Sequence, residues 1–230
     1  MNEFFGNTIF FGALISLAAY GIGMILKTKL RLAIFNPLLV AIILTLGFVL
    51  IFDIDYEVYN SGARYLSYLL TPATVCLAIP LYEQFESLRK NAAAILVGIV
   101  TGVLTSLGSV LFLSYLFGLD HAEYVTLLPK SITTAIGMGV SEELGGYVAI
   151  TVAVIIVTGI IGNIIAEGVC KLFRITEPIA KGIGIGSASH AIGTTRAMEI
   201  GEVEGAMSSL SIVVSGFVTV LLAGIFANFM

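Results

Sequence analysis

The chain has 230 residues, of which 58% are hydrophobic and 11% are charged, with a formal net charge of −4. A soluble domain carries about 25% charged residues, so this composition excludes a water-soluble globule. Apolar runs of about 20 residues recur, which is the length that crosses a bilayer as a helix, and the alternating segments of a membrane β-barrel are absent. The sequence therefore predicts an all-α integral membrane protein.

Six apolar runs predict six full transmembrane helices. The runs cover residues 5–26, 32–52, 65–82, 91–117, 146–169 and 206–229. Pro72 and Pro80 interrupt the third run beside Thr71, so we expect a kinked or broken helix there. Asn36 precedes the second run and is expected to cap its helix, with a place near a binding site as the alternative.

The basic residues predict how the chain is oriented. Eight of the eleven lie in three clusters, at 27–31, 89–90 and 171–181. Because basic loops stay in the cytoplasm, the acidic stretches at 53–57 and 120–123 are expected outside, together with both termini. One span alone, at 146–169, separates the loop at 120 from the cluster at 171. The polar segment 125–145 must then be re-entrant or cross twice, and the polar segment 182–205 starts at the cytoplasmic face.

The two polar segments resemble each other. A shift of 56 residues aligns "SITTAIGMGVSEELG" from Ser131 with "SASHAIGTTRAMEIG" from Ser187, with six identities in fifteen positions. The orientation above gives the copies opposite directions. We therefore predict an inverted repeat, with units 125–170 and 182–229, inside a single domain covering 1–230. Two helices that converged on small residues for close packing are the alternative.

Ionisable groups in these segments predict a binding site for a small carboxylate, because charges within a membrane are costly and face a cavity or one another. "PKSITT" is typical of a helix start, and helix N-termini favour anions. The predicted binding residues are Lys130, Ser131, Thr133, Thr134, Ser187, Ser189, His190, Thr194, Thr195 and Arg196, supported by Asn36, Thr71, Pro72, Pro80, Glu143 and Glu199.

Structural roles are the alternative for the same charges. Lys130 would extend to the membrane surface, and Arg196 would pair with Glu199 or Glu202. His190 is expected either to relay a proton or to pack as a neutral residue. An enzyme is not predicted, because "SASH" lacks the G-x-S-x-G pattern of a nucleophile elbow.

The two cysteines and two histidines have no metal-ligand spacing, so neither a metal nor a cofactor is predicted. Cys76 and Cys170 are expected to be small buried hydrophobic residues.

Four stretches carry a resemblance to a known family. They are "NPLLVAI" at 36–42, "TPATVCLAIPLYEQ" at 71–84, "LPKSITTAIGMGV" at 128–140 and "GIGSASHAIGTTRAMEIGEVEGAMSSL" at 184–210. Together they resemble the LrgB/CidB family of bacterial membrane proteins and the C-terminal half of the plant chloroplast glycolate/glycerate translocator. The resemblance implies a multi-pass protein of the bacterial cytoplasmic membrane. Ala135 stands where the family motif "PKSVTTPIA" has proline, so Gly137 and Gly139 are expected to provide the flexibility.

The resemblance implies two functions. The first is transport of small monocarboxylates such as pyruvate, glycolate or glycerate, together with a small four-span partner of the LrgA/CidA type, and the inverted polar repeats favour it. The alternative is an antiholin-like regulatory subunit that modulates murein hydrolase activity and cell lysis without carrying solute. Small residues in "GIVTGVLTSLGS" at 98–109 suit helix packing and a homo-oligomer, as the alternative requires.

Overall fold

The structure is a computed structural model that describes residue 8, residues 10–30 and residues 35–230. Residues 1–7, 9 and 31–34 lie outside the described residues, and they include the N-terminus, Arg31 of the first basic cluster and parts of the first two apolar runs. All regular structure in the described part of the chain is helical. The helices are α1 (Phe11–Leu30), α2 (Pro37–Ile51), α3 (Tyr56–Ser67), α4 (Leu70–Cys76), α5 (Ala78–Glu83), α6 (Phe85–Lys90), α7 (Ala92–Phe117), α8 (His121–Leu127), α9 (Thr134–Glu143), α10 (Val148–Leu172), α11 (Pro178–Ile200) and α12 (Glu202–Ala227).

Four of these helices, α1, α7, α10 and α12, are long and apolar enough to cross a membrane. The prediction of an all-helical membrane protein is confirmed to that extent. Helix α2 has 15 residues, which is short of the roughly 20 that a span needs. The count of six full spans stays a prediction.

The third apolar run forms two short helices, α4 and α5, instead of one span. Pro72 and Pro80 each lie in the first turn of one of these helices. A proline is tolerated there but disrupts a helix interior, which explains why the run is divided between them. The break predicted from the prolines is therefore present.

The acidic stretch 53–57, which was expected outside, leads directly into a helix. Asp55 has the extended backbone of an N-cap, and α3 follows it. Arg64 lies exposed in the last turn of α3. Cys76 is also exposed and Cys170 is partly exposed, so the expectation of buried cysteines is wrong.

The chain divides into two compact units, Met1–Cys76 and Leu77–Met230. In the first, α1 packs against α2 and α3, and the Ser16 hydroxyl lies 2.9 Å from the Tyr59 hydroxyl. Asn36 caps α2, because its Oδ1 accepts from the backbone N–H groups of Leu38 at 2.9 Å and Leu39 at 3.3 Å. The predicted capping role of Asn36 is confirmed.

In the second unit, α11 packs along α12, α10 packs against α11, and α7 contacts both α11 and α12. The core has two main clusters of buried hydrophobic side chains. One consists of Ile95, Ile99, Ile183, Ala206 and Met207, and the other consists of Val103, Leu107, Val110, Tyr124, Val125, Leu128 and Ala227. Lys171, Arg174 and Lys181 lie around one cavity, and we call this the basic end of the unit. The two polar segments thus lie among the long helices.

Close packing between α11 and α12 predicts a contrast between two neighbouring glycines. A Cβ on Gly186 would lie 2.8 Å from Ser208 Cα, whereas one on Gly184 would meet nothing within 4 Å. We expect Gly186→Ala to lower the free energy of unfolding by about 1–3 kcal/mol, the usual effect of overpacking. Gly184→Ala should leave it unchanged or raise it by about 0.5–1 kcal/mol, because alanine favours a helix. Thermal unfolding of both variants in detergent measures the difference, and equal midpoints would contradict this packing.

Candidate functional site

Helix α11 is broken at His190, whose φ of 42° and ψ of −141° are non-helical. Residues 178–189 form a first leg and residues 191–200 a second leg. Two contacts show that the legs return to the same level of α12. The first leg places Gly186 against Ser208, and the second leg places the Thr194 hydroxyl 2.7 Å from the Ser208 hydroxyl. The segment is therefore a helical hairpin with His190 at its tip.

The open end of this hairpin lies at the first turn of α12. Lys181, on the first leg, forms an ion pair with Glu204 at 3.7 Å. Met198, on the second leg, covers Gly205, where a Cβ would lie 2.8 Å from Met198 Cγ. The hairpin thus opens at the basic end of the unit.

His190 is buried and fixed by α10. Its Nε2 lies 2.9 Å from the Ile155 carbonyl oxygen, and since a carbonyl only accepts, Nε2 carries the proton. Gly159 lies directly beneath the ring, because a Cβ there would be 2.7 Å from His190 Cε1. A positive φ at a residue other than glycine costs about 1–3 kcal/mol and persists only where the surroundings enforce it. The tip is consequently held in place by the fold around it.

The first polar segment, α8 to α9, also returns to the end from which it starts. The Thr126 hydroxyl accepts from the backbone N–H of Tyr147 at 2.7 Å. The Thr151 hydroxyl lies 2.9 Å from the Thr126 carbonyl oxygen and 2.7 Å from the Ser141 hydroxyl. Both ends of the segment therefore meet at the start of α10. The Tyr124 hydroxyl donates to the Phe226 carbonyl at 2.9 Å. Phe226 lies at the end of α12 opposite the basic end, so the first segment starts and returns at that end.

The turn between α8 and α9 carries Lys130 and Ser131. The Lys130 ammonium donates to the hydroxyls of Ser106 at 3.2 Å and Ser131 at 3.0 Å, and these two hydroxyls are 3.0 Å apart. No carboxylate of the described residues pairs with Lys130. Ser106 lies in the middle third of α7, so the ammonium is level with the middle of that helix.

The tips of the two segments approach each other on α7 and α10. On α7, Ser106 holds the first tip, and Gly102 faces the Ser187 hydroxyl, which would be 2.9 Å from a Cβ at Gly102. These positions are one helical turn apart, about 6 Å along the axis. On α10, Ile155 binds His190 through its carbonyl and covers Gly137 with its side chain. A polar cavity between the tips remains a prediction.

Arg196, on the second leg, is paired with two carboxylates. Its Nη2 donates to Glu167 on α10 at 2.5 Å, and its Nη1 donates to Glu199 on its own leg. The pair with Glu199 is one that the structural alternative foresaw. Arg196 therefore differs from Lys130, because its charge is already balanced.

The remaining predicted residues have diverse surroundings. Thr133 is the N-cap of α9 without a side-chain cap, so that helix begins four residues after Lys130 instead of at the "PK" pair. Ser189 lies over Gly162, and Thr195 is exposed and accepts from Asn163 Nδ2 at 3.1 Å. Glu143 is exposed at the end of α9.

Thr134, the first residue of α9, is partly exposed, and Pro80 lies in α5 of the second unit. Three predicted residues lie in the first unit. Thr71 and Pro72 are exposed there, whereas Asn36 is buried.

Ser106, Asn163 and Glu167 were missed by the sequence reasoning. Asn163 Nδ2 donates to the Ile192 carbonyl at 2.7 Å, so it holds the second leg against α10. The sequence does contain a signal for Asn163 and Glu167. Both are polar residues inside the apolar run 146–169, and they are four residues apart, so they lie on the same face of a helix. Ser106 has no such signal, since it stands among many small residues in α7.

The hydrogen bond at the tip predicts an order of stability for substitutions at His190. Asparagine tolerates a positive φ better than most residues and retains a donor, whereas alanine keeps the strained backbone and loses the bond. We expect His190→Ala to lower the free energy of unfolding by about 1–3 kcal/mol and His190→Asn to lower it less. Thermal unfolding in detergent measures the order, and an alanine variant as stable as the parent would show that the bond is unimportant.

Comparisons with known proteins agree with the resemblance seen in the sequence. The LrgB-like family matches residues 16–229. The chain is 40% identical over 223 residues to the "Antiholin-like protein LrgB" of Bacillus mycoides (strain KBAB4) and to that of Bacillus cereus (strain B4264), covering 96% of this chain and 97% of each relative. No solved structure matches. The chain therefore belongs to the LrgB-like family.

Proposed function

We propose that this protein carries small monocarboxylates, such as pyruvate, glycolate or glycerate, across the bacterial cytoplasmic membrane. The observation that carries the proposal is the Lys130 ammonium, which is partly buried and bonded only to the Ser106 and Ser131 hydroxyls among the described residues. An ammonium has three N–H donors, so one of them lacks an acceptor. A carboxylate would supply both the acceptor and the missing negative charge.

The second tip offers further polar groups close to this cation. Ser187 faces α7 one turn from Ser106, and His190 Nδ1 has no hydrogen bond among the described residues. A solute oxygen could accept from or donate to this nitrogen, according to its protonation. We assign Lys130, Ser131 and Ser106 to the carboxylate and Ser187 and His190 to the rest of a small solute.

The predicted site has an outer part as well. Ser189, Thr194, Thr195 and Arg196 line the second hairpin, and Thr133 and Thr134 begin α9. We propose that these residues meet the solute on its way to or from the tips. No covalent step is part of this function.

The two hairpins open toward opposite ends of α12, an arrangement that supports transport by alternating access. The first opens at the Phe226 end of α12 and the second at the Glu204 end, and the 56-residue shift aligns Thr134, where α9 starts, with His190, where α11 breaks. Inverted repeats with interrupted helices enclose the solute site of many secondary transporters. We propose that units 125–170 and 182–229 are such a pair, working in a homo-oligomer with a four-span LrgA/CidA-type partner.

Uptake into proteoliposomes tests the carrier. Lys130→Ala should lower pyruvate uptake by about tenfold or more, because a charge-assisted hydrogen bond contributes roughly 1.5–3 kcal/mol. Lys130→Arg should retain more uptake than the alanine variant. Lys90→Ala is the matched control, since Lys90 pairs with Glu86 on the surface with its side chain 71% exposed. Undiminished uptake in both Lys130→Ala and Arg196→Ala would remove the site assignment.

The names of the relatives favour a second function, an antiholin-like regulatory subunit, which would carry no solute. In that case packing faces matter and tip charges do not. In cells whose own copy is deleted, Lys130→Ala should then preserve control of lysis, whereas Gly186→Val should abolish it, because a side chain there meets the Ser208 backbone. Murein hydrolase activity and lysis rate are the measurements. The regulator would be rejected if lysis control followed pyruvate uptake across the tip variants.

A further inference from the structure

Arg196 presents both ends of its guanidinium to carboxylates of the protein itself. Glu167 Oε1 is 2.5 Å from Nη2, and Glu199 binds Nη1. The Arg196, Glu167 and Glu199 side chains are 28%, 39% and 48% exposed, respectively. Two parallel N–H groups of an arginine are the usual grip for a single bound carboxylate. The protein therefore fills with its own acidic groups the positions that a carboxylate solute would take.

These carboxylates lie in the wall of a cavity. A space of about 760 Å³ at the basic end is lined by Glu167, Cys170, Lys171, Arg174, Lys181 and Glu199, among others. The basic residues in this lining outnumber the acidic ones by three to two. A lining with a net positive charge attracts anions, so small anions are favoured over cations in the cavity. An anion there is adjacent to both partners of Arg196.

Glu167 has a second cation within reach. Its other oxygen, Oε2, is 3.5 Å from the Lys171 ammonium one turn further along α10, and the Lys171 side chain is 80% exposed. A carboxylate that leaves a cation at a half-buried site loses its compensation unless another cation replaces it. Lys171 already provides this second cation. Glu167 can thus release Arg196 without becoming unpaired.

We propose that Glu167 is an internal carboxylate that occupies Arg196 while the basic-end cavity lacks solute. A small monocarboxylate entering the cavity displaces Glu167 from Arg196, and Glu167 keeps its existing pair with Lys171. The class of solute rests on the proposed function, but the exchange itself concerns ion pairs that are present in the structure. The cavity is accordingly a first binding station at the basic end, separate from Lys130 at the tip.

Cys170 reports on this station, because it lines the same cavity. The chain has two cysteines, so Cys76→Ser leaves Cys170 as the single thiol. In that background, the full-length protein in lipid nanodiscs is treated with N-ethylmaleimide at increasing pyruvate concentrations. Each rate is divided by the rate of the same variant without pyruvate, since removing a nearby charge alters thiol reactivity by itself.

We expect pyruvate to slow the modification of Cys170. Glu167→Gln should lower the half-protecting pyruvate concentration about two- to fivefold, which is the range for losing one partly exposed competing ion pair. Arg196→Ala should abolish protection, and neutral acetamide should not protect. Glu202→Gln is the matched control, because Glu202 is exposed on α12 and forms no ion pair in the described part of the chain.

Three results would overturn the exchange: an unchanged or higher half-protecting concentration in Glu167→Gln, protection retained in Arg196→Ala, or no protection in any variant. If Glu167→Gln fails to fold, Glu199→Gln must shift protection in the same direction. Pyruvate uptake measured separately distinguishes the failures. Uptake without protection rejects this station and leaves the carrier, whereas protection without uptake rejects the carrier and leaves a carboxylate-binding protein.

Discussion

The backbone break at His190 is the constraint on which the second unit depends. In a hydrocarbon environment each backbone N–H and C=O must find a partner inside the protein, so a reversal at depth needs dedicated acceptors and donors. Asn163 binds the Ile192 carbonyl directly after the break, and Thr194 donates to the His190 carbonyl at 2.9 Å. Gly159 gives the ring its space. The glycines and hydroxyls that make this stretch unusual in sequence are thus what allow a tip inside the protein.

Lys130 and Arg196, the cations of the two polar segments, differ in whether a carboxylate of the protein balances their charge. Lys130 is surrounded by hydroxyls and has no counter-charge among the described residues. Arg196 lies nearer the basic end and is bound by two carboxylates. Their residue types fit this difference, since a guanidinium matches two acceptors at once, whereas an ammonium is a compact charge that hydroxyls can solvate. Under the proposed function, a carboxylate solute would replace Glu167 as a partner of Arg196, and it would give Lys130 the counter-charge that it lacks.

Sequence reasoning reached the helical class, the family, the Asn36 cap and the unusual nature of both polar segments, because composition, capping residues and clustered polar residues are local signals. It did not identify Glu167 as the partner of Arg196, since that contact joins residues 29 positions apart on different helices. For the third apolar run, the prolines predicted a kink or break, but the run was still counted as a full span, whereas Pro72 and Pro80 lie in the first turns of two short helices. Packing between distant segments leaves no periodic trace in a chain that is apolar almost everywhere.

Ile155 connects the two segments mechanically. Its backbone oxygen binds one tip through His190, and its side chain fills the space left by Gly137 near the other. A rotation of α10 about its own axis by one residue, roughly 100° for a helix with 3.6 residues per turn, would withdraw both contacts together. Ile155 is therefore a contact on α10 that both hairpins share, through its carbonyl for His190 and through its side chain for Gly137.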